Sequence, residues 1–279
     1  MKKLILHIIL LFATFAVSAQ APEVIRPVSS AFMFDAGSSH LLDTYLSPLH
    51  YTGWHVGFSY ERNQAMKFAP ERWRQQLSIG LEFNDAASPA RNTTLLYGNI
   101  AASWAMSRVW RLPNRLWVSA GGRVGADIGG VYNERNGNNP AAAKVDAYIG
   151  ATAAVGWSVN LWKVPVSLRW QTSMPLLGAF FSPEYDELYY EIYLGNRHGL
   201  AHFAYPGNLF RWDNLVTADM RLGNSSLRVG FRSQILSSEV NHITTRNFSY
   251  SFVLGVVSDW LSVSPRKLPA DGHKVEWAY

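Results

Sequence analysis

The 279-residue sequence contains no cysteine. That excludes a disulfide framework, a thiolate metal site and a cysteine nucleophile. It also excludes the lipid-modified cysteine that tethers a bacterial lipoprotein. Past the N-terminus there is no run of about 18 apolar residues, so no spanning helix is expected. Blocks of consecutive basic residues, internal repeats and low-complexity tracts are absent, and charged residues make up only 16%. Removing residues 1–19 takes Lys2 and Lys3 from the 25 basic residues, leaving 23 against 20 acidic ones, a net charge of +3. Such a balance does not point to a nucleic-acid partner.

What is present begins with MKKLILHIILLFATFAVSAQA. Lys2 and Lys3 form a positive start, Leu4 to Val17 an apolar stretch, and Val17-Ser18-Ala19 a small-residue cleavage site. This is the pattern of a secretory signal peptide over 1–19. Aromatic residues reach 14%, with 11 tryptophans, a composition suited to long strands against an apolar medium.

The dominant signal is a period of two, which places alternate side chains on opposite faces of a strand. In RLWVSAGGRVGADIGGVY (115–132), Leu116, Val118, Ala120, Val124, Ala126, Ile128 and Tyr132 alternate with Trp117, Ser119, Arg123 and Asp127. The same alternation recurs at 75–84, 145–161, 164–174, 209–222, 227–235 and 248–260, and more weakly at 28–37, 52–61 and 95–108. The recurrence of Gly121, Gly125 and Gly129 does not make a helix-contact stripe, because Arg123 and Asp127 interrupt it. The glycines also lack the spacing of a dinucleotide loop.

Several segments exceed the 9–11 tilted residues that cross a bilayer. Short connections (109–114, 161–163, 223–225) alternate with longer polar ones (38–50, 85–93, 133–144, 178–207, 238–245), with 62–73 an exception. The expected fold is all-β: an antiparallel transmembrane β-barrel of about ten strands, or twelve, with short periplasmic turns and long outer loops. A soluble sandwich or lipocalin-like barrel also alternates, but with shorter strands and its apolar face turned inward. The expected division is signal peptide 1–19, barrel 20–263, and a tail or extra strand piece at 264–279.

Four segments, DTYLSPLHYTG (43–53), YYEIYLGN (189–196), LRVGFRS (227–233) and FVLG (252–255), resemble an uncharacterised family of outer-membrane β-barrels from Bacteroidetes-type bacteria, a domain of unknown function. The resemblance implies location in the outer membrane of a Gram-negative bacterium and brings no catalytic residues. DTYLSPLHYTG reads as a structural loop, with folding into the lumen open to it.

Two groups of residues are candidates for function. An inward-facing charge network is expected from Arg123, Arg169, Arg211, Arg221, Arg228 and Arg232 with Glu61, Glu82, Asp127, Asp146, Asp213, Asp219 and Asp259. In a narrow barrel such charges pair and plug the interior. The 178–207 connection carries Asp186, Glu187, Glu191, His198 and His202, a weak candidate set for water activation. His198 and His202 have a helical metal-ligand spacing, but Gly199 stands where the zinc-protease glutamate would be. The leading expectation is a non-enzymatic barrel with a plugged polar lumen, structural or ligand-binding. Alternatives are a hydrolase of lipid or peptide at the mouth, or a narrow diffusion channel. No cofactor or metal is expected. Expected partners are outer-membrane lipid and, during biogenesis, the barrel assembly machinery; the sequence assigns no small ligand.

Overall fold

The computed structural model describes residues 25–260, apart from 138, 162, 163, 197 and 224. The expected signal peptide at 1–19 and the tail at 264–279 lie outside the described residues.

Eleven strand segments follow one another: β1 (Val28–Asp43), β2 (Ser47–Ala65), β3 (Trp73–Ala87), β4 (Thr94–Leu112), β5 (Leu116–Asn133), β6 (Ala141–Leu161), β7 (Val164–Phe181), β8 (Ala201–Ala204), β9 (Leu209–Leu222), β10 (Ser225–Val240) and β11 (Ile243–Trp260). One short helix, α1 (Tyr189–Tyr193), lies between β7 and β8. Sequential strands pair antiparallel, β1 pairs with β11, and the sheet returns on itself. β8 and β9 run in line along β7, so the closed barrel has ten strands with β8 as an extra piece. Between them Tyr205-Pro206-Gly207-Asn208 loops out, held by Asn208 N–H to Tyr205 O (3.0 Å) and Tyr205 N–H to Asn208 Oδ1 (2.9 Å). Proline and glycine suit such a turn.

Strand alternation sorts the side chains. Phe252, Phe32 and Ile149 point outward at 77%, 67% and 64% exposure, whereas inward Asp35 and Arg228 are at 0% and 2%. On β5 the apolar set from Leu116 to Tyr132 faces out, and Trp117, Ser119, Arg123 and Asp127 face in. Closure leaves no long open edge whose unpaired backbone groups would cost several kcal/mol each in an apolar medium.

Several strands run further than the alternation suggested. The 38–50 connection shrinks to a turn at 44–46, and the 238–245 connection to Asn241-His242. Both of those residues have positive φ (52° and 60°), and Val240 pairs directly with Ile243. This is a two-residue hairpin of the type that asparagine favours. At the other rim Asn114 and Arg115 also have positive φ (61° and 59°), here in a three-residue connection in which Leu112 pairs with Leu116 and Leu116 N–H bonds to Pro113 O (3.3 Å). The 178–207 segment is not wholly open loop: β7 continues to Phe181, and α1 and β8 lie within the rest.

The start of β1 and the end of β11 define one rim, the near rim, with turns 66–72 and 113–115 and Gly223. The far rim carries 44–46, 88–93, 134–140, 182–208 and 241–242.

Candidate functional site

The inward residues form three linked charge centres. Near the first rim, Glu61 accepts from Arg169 Nη2 (2.7 Å) and Arg228 Nη1 (3.2 Å). Arg228 also grips Asp219 through Nε and Nη2, each at 2.7 Å. Further along, Asp35 accepts from Arg232 Nη1 (2.8 Å), Ser251 Oγ (2.9 Å) and His55 Nε2 (2.8 Å). His55 Nδ1 lies 2.6 Å from the Asn84 amide oxygen, and Asn84 Nδ2 donates to Asn247 (3.1 Å). In the third centre Arg211 bridges Asp127 and Asp146 (2.7 Å to the latter), and Asn99 donates to Asp127 (3.2 Å). Glu61–Arg169 spans the barrel from β2 to β7, and the other bonds tie strands that are adjacent or up to three apart, so the centres brace the barrel from within.

Of the residues expected in the lumen, Arg169, Arg211, Arg228, Arg232, Asp127, Asp146 and Asp219 are brought together as described. Arg123 donates to Ser173, and Glu82 receives Asn247 Nδ2 at 3.5 Å. Asp213 faces in, but its Oδ1 is buried without a hydrogen-bond partner. Arg221 is exposed at the near rim, its Nε 3.4 Å from Gly223 O, outside the network. Sequence reasoning left Asp35 and His55 out of the network: they fall on strands where the alternation is weak, and the 44–46 turn that fixes their register was read as part of a long loop. Asn84 lies on the polar face of the clear 75–84 alternation but was not drawn into the network.

The network leaves two small cavities. One of about 130 Å³ is lined by His55, Glu82, Asn99, Arg123, Asp127 and Arg211, among others. The other, of about 40 Å³ beneath the far rim, touches Leu41, Lys144, Val131 and Phe180. Tyr97, Asn99, Arg211, Leu236 and Asn247 line both. The larger has room for several waters but is well below the roughly 300 Å³ of ordinary ligand pockets.

Above the smaller cavity the far rim is capped. Leu46 packs with Leu41, Tyr51, Leu95, Tyr97 and Val131, and Asn133 Nδ2 donates to Leu46 O (3.4 Å). Tyr45 OH donates to Glu187 O (2.8 Å), accepts from Asn139, and meets the Tyr189 ring edge-on at 5.9 Å. Tyr189 OH in turn accepts from Ala143 N–H (2.6 Å). Burial pushes the Tyr189 phenol up to about 12 and raises that of Tyr45. Lys144 closes the same rim, 2.6 Å from Asp43.

The 178–207 candidates are not assembled into a site. His202 Nε2 contacts Ser182 O (3.1 Å) and Asn241 (3.2 Å), and its ring packs at a tilt against Phe180. Glu191 accepts from Leu188 N–H (2.9 Å) at the start of α1, while Asp186 and His198 are exposed. Among the described residues no carboxylate is hydrogen-bonded or ion-paired to either histidine, and no three metal-ligating side chains are grouped to hold an ion.

The class is therefore a closed ten-strand antiparallel β-barrel with an apolar exterior and a salt-bridged interior. The chain belongs to the family described as "Protein of unknown function (DUF3316)", which matches residues 4–267. No curated protein matches the sequence. Among solved structures it is similar to the β domain of the Bordetella autotransporter BrkA, at 12% identity and TM-score 0.40, over 85% of this chain and 100% of that one. It is also similar to the outer membrane protease OmpT from Escherichia coli, at 9% identity and TM-score 0.43, over 88% and 99% of the two chains. The Pseudomonas putida F1 outer membrane channel matches at 10% identity and TM-score 0.33, over 88% and 100%. These proteins differ from one another in activity, and no residue role passes from them to this chain.

Proposed function

We propose that the chain is exported through cleavage of the 1–19 segment and sits in the outer membrane of a Gram-negative bacterium as a closed, non-enzymatic barrel, serving a structural role in the envelope. One observation carries the reading: the outward face is a band of exposed phenylalanine, isoleucine and tryptophan, while the interior is filled by mutually paired arginines and carboxylates. A soluble barrel would reverse these faces. An apolar exterior gains its stability from lipid, and salt bridges across the lumen support a plugged rather than a conducting interior. The cavity volumes argue for water rather than a ligand inside, so contact with other molecules falls to the rims and the exterior.

The test joins two measurements on the refolded protein. Unheated samples should migrate differently from boiled ones on a denaturing gel, and the protein in planar bilayers should show no unitary conductance steps. Recovery in the aqueous fraction with no heat-dependent shift would overturn the barrel-in-membrane reading. Reproducible conductance steps would overturn the closed lumen and favour a diffusion channel.

A further inference from the structure

The near rim carries an uneven distribution of charge. On the sector built by β2 to β5, Lys67, Arg72, Arg108, Arg111 and Arg115 are exposed and Arg62 is half-buried. Glu71 is the acid on the outside of this sector among the described residues, and Arg72 lies 3.5 Å from it. The 66–72 turn is tied to the end of β4, because Val109 N–H donates to Arg72 O (2.7 Å) and Arg111 reaches Glu71 O. This brings the cations of both turns onto one side of the rim. The far rim differs: its exposed acids Glu134, Glu184, Asp186, Glu191 and Glu239 outnumber its exposed arginines among the described residues.

The cations are interleaved with exposed aromatic rings. The Arg62 guanidinium lies 6.0 Å from the Trp260 ring, and that of Arg108 lies 5.5 Å from Trp110. Trp260 Nε1 donates to Ser30 Oγ (3.2 Å), which is 3.2 Å from Tyr60 OH. Trp73 pairs directly with Arg108 across β3 and β4. Indole rings with a polar edge settle where hydrocarbon gives way to headgroups. Arginine stems lie along apolar surface while the guanidinium reaches the polar layer, and its fork matches phosphate.

We infer that this sector is a binding surface for anionic phospholipid headgroups in the leaflet at the near rim, the phosphate being held by arginine forks beside Trp110 and Trp260. The interleaved indoles favour lipid over a soluble polyanion, since a polyanion has no use for exposed apolar rings at the same level. The inference rests on the membrane-barrel reading above.

The experiment incorporates the full-length protein into nanodiscs of equimolar phosphatidylglycerol and phosphatidylcholine. Lipids that stay with the protein on release are counted by mass spectrometry. The wild type should retain phosphatidylglycerol in preference, and raised salt should weaken that preference. Arg62→Gln with Arg108→Gln should lower the preference about fivefold per arginine. Arg246→Gln, on the other half of the barrel, should leave it unchanged. Equal retention of both lipids by the wild type, or equal loss in R246Q, would overturn the inference alone. Failure of the wild type to incorporate would overturn the membrane reading and the inference with it. Loss of heat-shifted gel mobility marks misfolding in the double variant; the single variants then carry the comparison, and no change in either would overturn the inference.

Discussion

Arg228 and Asp219 stand directly opposite each other on β10 and β9, joined by two parallel hydrogen bonds of 2.7 Å. The pair is inward, with Arg228 buried and Asp219 largely so, and Arg228 also reaches Glu61. Removing the guanidinium would leave Asp219 without its cation in the lumen and Glu61 with Arg169 alone. Arg228→Ala should therefore cost about 3 kcal/mol or more in urea unfolding followed by tryptophan fluorescence. Asp219→Asn combined with Arg228→Gln should cost less than the sum of the single changes. Additivity would show that the fork contributes nothing as a unit.

A second relationship is steric. A methyl group added at Gly125 would sit 2.6 Å from the tip of the Tyr148 ring and 3.0 Å from Ala102 O. Tyr148 therefore lies against β5 only because position 125 has no side chain. Arg211 rests 5.7 Å from the Tyr148 ring while bridging its two aspartates. Gly125→Val should destabilise by about 1–3 kcal/mol through overpacking. Much of that loss should return in a Gly125→Val, Tyr148→Ala double variant, and a double variant no better than the single one would point to backbone strain instead.

At the far rim the cap should respond to strong base. The folded-state value of Tyr189, about 12, is above the ordinary tyrosine value of 10.0. Its stabilising effect is thus complete below pH 10, where the phenol is protonated in both states. It is lost as pH rises from about 10 to about 12, because the uncapped chain then ionises first. The difference in ultraviolet absorbance between wild type and Tyr189→Phe should show a tyrosinate midpoint near 12. Protease sensitivity within 184–196 should rise over the same window in the wild type. A midpoint near 10 would mean that the ring is not buried under the cap in solution.

How far the sequence revealed this depends on the strand. On β5 and β11 the outward apolar residues are nearly uninterrupted, and the alternation alone places Arg123, Asp127 and Asp259 inside. On β1 the inward set includes Ala31 and Met33, and the outward set includes Ser38 and His40, so the contrast that marks a face is weak there. The connection to β2 has no glycine at its turn. It is held by Tyr45 N–H to Asp43 Oδ1 (3.1 Å) and by burial of Leu46, features that local turn rules do not announce. Without that turn the register is unknown, and with it the meeting of Asp35 and His55. The histidines at 198 and 202 attracted notice for their spacing, yet the segment that holds them crosses the rim with one exposed and the other bonded to backbone and amide. Spacing identifies a ligand pair only on a helix, and α1 ends at Tyr193.

The seam between β1 and β11 pairs Val28 with Trp260 and Asp43 with Thr245, so every contact along it joins positions more than 200 residues apart. The other strand junctions can be formed by chain neighbours as they arrive, zipping hairpin by hairpin. The seam has to wait for the last strand and then close the longest loop in the molecule. Until it does, the sheet has two raw edges, each a template for pairing with a stranger. Time spent in that half-rolled form, rather than the final depth of the energy well, sets the interval during which the chain is open to mispairing and most in need of an escort.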